Sequence, residues 1–317
     1  MRYGIIDLGT NTFNLLIAER QGAEIKLLFK KKLAVKLGSG SFESGKIQPE
    51  AMQRGFQAIR EHKQKAASYN LDGLYAIATS ALRSSSNAAE FVSACADKMN
   101  IHINIISGDE EAQLIYEGVA FEGGLKEEKS LIMDIGGGST EFIIADNKQV
   151  YWKKSFDLGA ARLLSWLSPM DPIADTEIRS LLEHLRDELQ ELWKAIKEHQ
   201  VVEILGSSGS FETLARMLAI AVEGKEKSEQ QLKGYNFPMS DYHQLRDKIL
   251  ASTLHERLAM PGMLAMRADM IVMSALLIES VQQNTGVESI RLSNAALKEG
   301  VFARILQNKI TWQRSLS

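Results

Sequence analysis

The sequence predicts an α/β protein built from two related domains, and three observations predict it. Strand-like apolar runs alternate with amphipathic, helix-period segments along the chain. The stretch Leu131–Ala145 reads as strand, tight turn, strand: apolar residues 131 to 133, Asp134, three glycines at 136 to 138, Ser139 and Thr140, then apolar residues from Phe142. The chain also carries this stretch twice. Tyr3–Ala18 aligns on it without gaps at an offset of 127 residues, so that Ile5, Asp7, Gly9, Ile17 and Ala18 recur as Ile132, Asp134, Gly136, Ile144 and Ala145. That spacing is too long for a solenoid repeat and fits two domains, 1–124 and 125–317, with Gly123, Gly124 and the charged run to Lys129 as linker. A final helix over about 295–310 is free to pack back on the first domain.

The turn has its own chemistry. Three successive glycines allow successive backbone amides to point at one anion. Ser139 and Thr140 add hydroxyls, and Asp134 is placed to hold a hydrated metal ion against a phosphate. A glycine-rich hairpin with no ligand has the same local sequence; the duplication favours the ligand. Two such turns facing across a cleft would grip one phosphate chain from both sides.

Composition narrows the classes. Hydrophobic residues at 45% and charged ones at 24% are ordinary for a soluble globular protein. Cys95 is the only cysteine, which rules out an intrachain disulfide and fits a reducing cytoplasm. Residues 1–4 lead straight into a strand, so no signal peptide is expected, and Met270–Ile278 is far shorter than a membrane span. A net charge of −3 argues against a nucleic-acid-coating protein. The lysines at 30, 31, 32, 36, 153 and 154 read as local anion patches or as solvated strand edges.

The remaining elements follow in order. A strand-like meander runs from Glu24 to Val35, and Pro49 opens a helix to about Ser68. Leu74–Ala78 is a short buried strand leading to Arg83, which is either an anion contact at a strand's carboxyl end or a surface arginine. Ile101–Ile106 is a strand. Asp109, Glu110 and Glu111 then open a helix: helix capping explains the first two, and Glu111 is free to serve as a general base. Arg162 is a second anion candidate. Residues 175–199 show one long amphipathic period, a scaffold or dimer surface. Gly206, Ser207, Ser208 and Gly209 form a strand–turn–helix, again an anion-ready arrangement. Helices are expected near 240–253 and 265–284, the second carrying Met266–Met270, then a strand over 289–293.

Taken in order, IDLGTNTFNLLIAE, ATSALRSSSN, ISGDEEAQLIYEGV, MDIGGGSTEF, DLGAARLL, LGSSGSFETLA and MRAD resemble the exopolyphosphatase / guanosine-pentaphosphate phosphatase family across nearly the whole chain. The resemblance implies two ribonuclease-H-like (actin-like ATPase) domains with the active site in the cleft between them. It implies hydrolysis of the terminal phosphoanhydride of polyphosphate or guanosine pentaphosphate, assisted by Mg2+ or another divalent cation. Glu111 is then the base, Asp134 and Glu141 serve metal or water, and Arg83 and Arg267 contact phosphate. The phosphate loops map to Asp7, Gly9, Thr10, Asn11 and Thr12, to Gly136–Thr140 and to Gly206–Gly209. A homodimer is expected by analogy. The sequence departs from the family at Lys298, where an arginine is usual. An ATP-dependent kinase or ATPase of the same superfamily, and a non-catalytic phosphate-chain sensor, are the alternative readings.

Overall fold

The structure, a computed structural model, describes residues 1–22 and 24–315. The chain divides into two compact units, Met1–Gly118 with Leu297–Ser317, and Val119–Ala296.

The first unit holds strands β1 (Arg2–Leu8), β2 (Thr12–Gln21), β3 (Glu24–Ala34), β4 (Gly73–Ala78) and β5 (Ile103–Ile105), in the order β3-β2-β1-β4-β5. β1, β2 and β3 form an antiparallel meander, and β4 and β5 add parallel to β1. Side chains alternate between the faces of a strand. Ile6, Leu8, Leu15 and Ile17 therefore join one core with Ile59 and Phe91 of the helices Pro49–Ala67 and Ala88–Met99. Asp7 points to the opposite face, where the helix Leu297–Leu306 lies: Phe302 meets Tyr3 edge-on at 6.4 Å. Cys95 is buried, and burial pushes its thiol up to about 12.

The second unit holds β6 (Ser130–Ile135), β7 (Thr140–Ala145), β8 (Val150–Phe156), β9 (Glu203–Ser207) and β10 (Ile290–Leu292), in the order β10-β9-β6-β7-β8. Again a meander is followed by two parallel strands on the first strand's free edge. Each unit is thus an α/β layer with the ribonuclease-H-like strand order, and the sequence repeat is a repeat of topology. The helix Ile271–Thr285 is apolar on nearly every side because it is buried on nearly every side. Among the described residues no helix is long and apolar enough to cross a membrane.

Three expected elements differ. The helix over 175–199 is two helices, Asp175–Glu188 and Gln190–His199. The side chains of Trp193 and Gln190 both donate to the Arg186 carbonyl, at 2.9 and 3.1 Å, which draws that carbonyl out of the helix ladder. The helix expected from 265 starts at Ile271, and Arg267 lies in the turns before it, where Arg257 Nε donates to the Ala268 carbonyl at 2.9 Å. No loop separates β9 from the next helix: the strand runs to Ser207 and the helix Ser208–Glu223 begins at once. That abrupt change puts Ser208 at a φ of 67°, a left-handed conformation that costs a residue with a Cβ.

Candidate active site

Each repeat closes its first hairpin in the same way. Gly9 N donates to Thr12 O at 3.1 Å, and Gly136 N donates to Ser139 O at 3.0 Å. The turn carbonyls are then occupied from outside. In the first, Val35 and Lys36 donate to Asn11 O and Gly38 donates to Thr10 O, all at 2.9–3.0 Å. In the second, the first amides of the helix Ala160–Leu167 take Gly136 O and Gly137 O, and Arg162 Nε takes Gly138 O at 2.8 Å. Two glycines are required by contact: a Cβ on Gly159 would lie 2.4 Å from Gly137 and Gly138 backbone, and one on Gly136 would lie 2.8 Å from Ser139 O. The amides of Gly137, Gly138 and Ser139 meet no acceptor among the described residues. Thr140 departs from its expected role as an anion donor. It sits opposite Ile135 on the core side, fully buried, and its hydroxyl donates to Leu158 O at 2.9 Å.

In the first unit, β1, β4 and β5 run parallel, so their carboxyl ends bring three segments to one edge of the sheet. These are the turn 9–12, the segment Ser80–Arg83 and the start of the helix Gly108–Phe121. Ser107 caps that helix, its hydroxyl accepting from Glu110 N at 3.1 Å. Glu111 follows, 8% exposed, and Arg83 Nη1 donates to its Oε2 at 2.9 Å. The arginine and the expected base are therefore one ion pair. Asp7 accepts from Asn14 Nδ2 at 2.9 Å, with Lys298 Nζ 3.9 Å away.

In the second unit, a polar row crosses the sheet. Ser155, Glu141, Asp134 and Ser207 are register partners in sequence from β8 to β9. Glu141 accepts from Ser155 Oγ and Asp134 from Ser207 Oγ, each at 2.6 Å, and both carboxylates are buried. Asp134 and Glu141 stand directly opposite on antiparallel strands, where like charges are destabilising without a counter-ion. No group of three or more His, Cys, Asp or Glu that could hold a metal occurs among the described residues. The pair nevertheless fits magnesium, which commonly takes one or two carboxylates and fills its other positions with water and phosphate oxygens.

Arg267 completes this edge. It is 6% exposed, and its Nε is buried with no acceptor among the described residues. Its guanidinium lies where a Cβ on Gly209 would come within 2.3 Å of Nη2. Burial pushes its pKa down, against the carboxylates of Glu212, Asp134 and Asp269. Sequence reasoning did not single out Ser155 or Asn14. For Asn14 a signal existed, because the 127-residue offset sets it on Glu141.

The sequence matches the model of the Ppx/GppA phosphatase family over residues 16–309. It is 35% identical to an exopolyphosphatase of known crystal structure from Cytophaga hutchinsonii, with a TM-score of 0.95, 99% of this chain and 100% of that one being covered. The Ppx/GppA family member from Aquifex aeolicus shares the fold at 23% identity and a TM-score of 0.81, over 98% and 99% of the two chains. A guanosine-5'-triphosphate,3'-diphosphate pyrophosphatase from Aeromonas hydrophila is 26% identical over 96% of this chain, which spans 60% of that relative's length.

Proposed function

The chain belongs to the Ppx/GppA phosphatase family, and from that premise we propose that it removes the terminal phosphoryl group of inorganic polyphosphate, or of guanosine pentaphosphate to give the tetraphosphate. Polyphosphate is placed first because the 35%-identical relative covered end to end is an exopolyphosphatase.

The observation that carries this reading is Arg267: a buried guanidinium whose Nε meets no acceptor among the described residues, packed on Gly209 in the first turn of the helix after β9 and in the field of Asp134. A buried cation with an unmet donor is costly unless an anion supplies the acceptor, and a phosphoryl oxygen is the acceptor that the neighbouring glycine amides also suit.

Phosphoanhydride hydrolysis asks the protein mainly for positioning and charge neutralisation. Glu111 accepts a proton from water, the water oxygen bonds to the terminal phosphorus, and the bridging P–O bond breaks toward the remaining chain. Arg83 orients Glu111 before substrate binds and turns to a phosphoryl oxygen when it does. The amides of Gly137, Gly138 and Ser139, with Arg267, hold the phosphoryl oxygens. Asp134 and Glu141 would hold a divalent cation, magnesium first, which supplies neutralisation of the charge developing on those oxygens.

The test is phosphate release with magnesium from long polyphosphate, tripolyphosphate and guanosine pentaphosphate, comparing wild type with Glu111→Gln. We expect the variant to lose at least about a hundredfold, in the range of general-base catalysis. Equal rates would remove Glu111 from the role, and no release from any substrate would remove the hydrolase reading.

A further inference from the structure

The two hairpins are duplicates in backbone but not in charge. In the second, the register pair on the ligand face is Asp134 and Glu141, two acids. In the first, the same pair is Asp7 and Asn14, one acid and one amide, with Lys32 next in the row on β3. Over the first pair the helix Leu297–Leu306 lays Lys298, whose ammonium stands 3.9 Å from Asp7 Oδ2. Both side chains of this ion pair are 14% exposed. At 3.9 Å the contact is longer than a direct hydrogen bond. Asn14 is 7% exposed, and its Nδ2 is committed to Asp7 while its Oδ1 is buried with no hydrogen-bond partner among the described residues. A carboxylate alone repels phosphate and serves it only through a cation. Here the cation is already covalently part of the chain.

We infer that Lys298 is the cation of the first turn: its ammonium, anchored by Asp7, which Asn14 orients, takes a substrate phosphoryl oxygen there, while the divalent ion is held only at Asp134 and Glu141. This rests on the proposed phosphate-chain substrate and deepens it by assigning a substrate contact and a metal stoichiometry. The chemistry that Lys298 selects is a point contact to a single oxygen, since an ammonium lacks the planar fork with which an arginine engages two. A divalent ion beside Asp7 would have to displace or abut that ammonium, so the first turn should take no metal while Lys298 is in place.

Tripolyphosphate binding to the full chain is measured by titration calorimetry in excess chelator, with Mn2+ binding measured separately by paramagnetic resonance without phosphate. Wild type should bind tripolyphosphate without metal and take one Mn2+ per chain, lost on Asp134→Asn and kept on Asp7→Asn. Lys298→Met should weaken metal-free binding by about ten- to a hundredfold, the scale of a charge-assisted hydrogen bond, and raise KM more than it lowers kcat. Lys298→Arg should restore most of the affinity. A purely structural lysine would change melting temperature and leave affinity and KM alone. Asn14→Ala, which keeps Lys298 and removes the hydrogen bond that orients its anchor Asp7, gives the second reading should Lys298→Met fold poorly, and should weaken binding in the same assay. Unchanged tripolyphosphate affinity in a folded Lys298→Met or Asn14→Ala protein that still turns over polyphosphate, or Mn2+ binding lost on Asp7→Asn, overturns the inference and leaves the hydrolase standing. No binding and no turnover of any phosphate chain by wild type sinks both.

Discussion

One nitrogen of Arg83 reaches both Glu111 Oε2, at 2.9 Å, and the Ile106 carbonyl, at 3.2 Å, so a single donor ties the carboxylate to the chain that leaves β5. Arg83→Met should lower kcat/KM about a hundredfold, equal to roughly 2.7 kcal/mol of lost transition-state stabilisation. Because the two residues act as a unit, adding Arg83→Met to Glu111→Gln should cost little more than Glu111→Gln alone. Fully additive losses in phosphate-release kinetics would show that they act separately.

Arg267 should trade stability against activity. Replacing it with methionine removes a buried cation whose Nε has no acceptor among the described residues and leaves an apolar chain of similar length. The folded state should gain about 1–3 kcal/mol, as other buried charges do on apolar replacement, while turnover falls at least about a hundredfold. Thermal melts and initial rates on the same preparation check both signs. A destabilised variant would mean that the guanidinium is held by more than its described contacts.

Ser208 holds a φ of 67° at the head of the helix that follows β9. Ser208→Gly should remove the Cβ clash of the left-handed conformation and stabilise the protein by about 1 kcal/mol. The midpoint of urea unfolding should rise with an unchanged slope. A fall would mean that the serine side chain contributes more than its backbone costs.

Glu203 links three strands of the second unit. It accepts from Ser130 Oγ at 2.9 Å and from Arg291 Nη2 at 2.7 Å, and Lys126 stands at 3.3 Å. Burial alone would raise its pKa, but hydrogen bonds from Arg291 and Ser130 and the charges of Arg291 and Lys126 hold it below the ordinary 4.5. With the folded value depressed, the unfolded chain binds the proton first as pH falls. The contribution is therefore whole above the unfolded pKa and is lost as acid carries the pH below it through the folded value. Glu203→Gln should cost about 3 kcal/mol at neutral pH by stranding Arg291, and should flatten the acid limb of the stability profile. An unaltered limb would assign it to other carboxylates.

The amount legible in the sequence depended on how local each feature is. The hairpins and the glycine turns follow from a pattern printed twice at an offset of 127 residues, whereas the fold of each unit was implied by the family resemblance and its strand order is read from the structure. The break at Leu189 was not legible, because the apolar period continues through it and only two side chains drawn to the Arg186 carbonyl create it. Thr140 looked like a donor from its place beside the glycines, yet strand alternation sends it to the core. Arg83 and Glu111 were each visible, but their pairing joins residues 28 apart across a strand and a turn. Lys298 against Asp7 is more distant still, and only the packing of a helix could reveal it.

Ser315 pairs with Leu74 and caps His102 N at 2.9 Å across 213 residues, and Gly300 is so close to the helix bearing Glu111 that a Cβ there would fall 1.8 Å from Leu114 O. During synthesis, then, the Val119–Ala296 unit has all its strands before the ribosome has made the segment that closes the N-terminal sheet. The earlier-made half must wait, the Leu74 end of β4 and the far side of β1 uncovered, while the later-made half matures. Chaperone dependence and aggregation of nascent chains should therefore concentrate on the amino-terminal unit, the reverse of the usual order in which domains leave the ribosome finished.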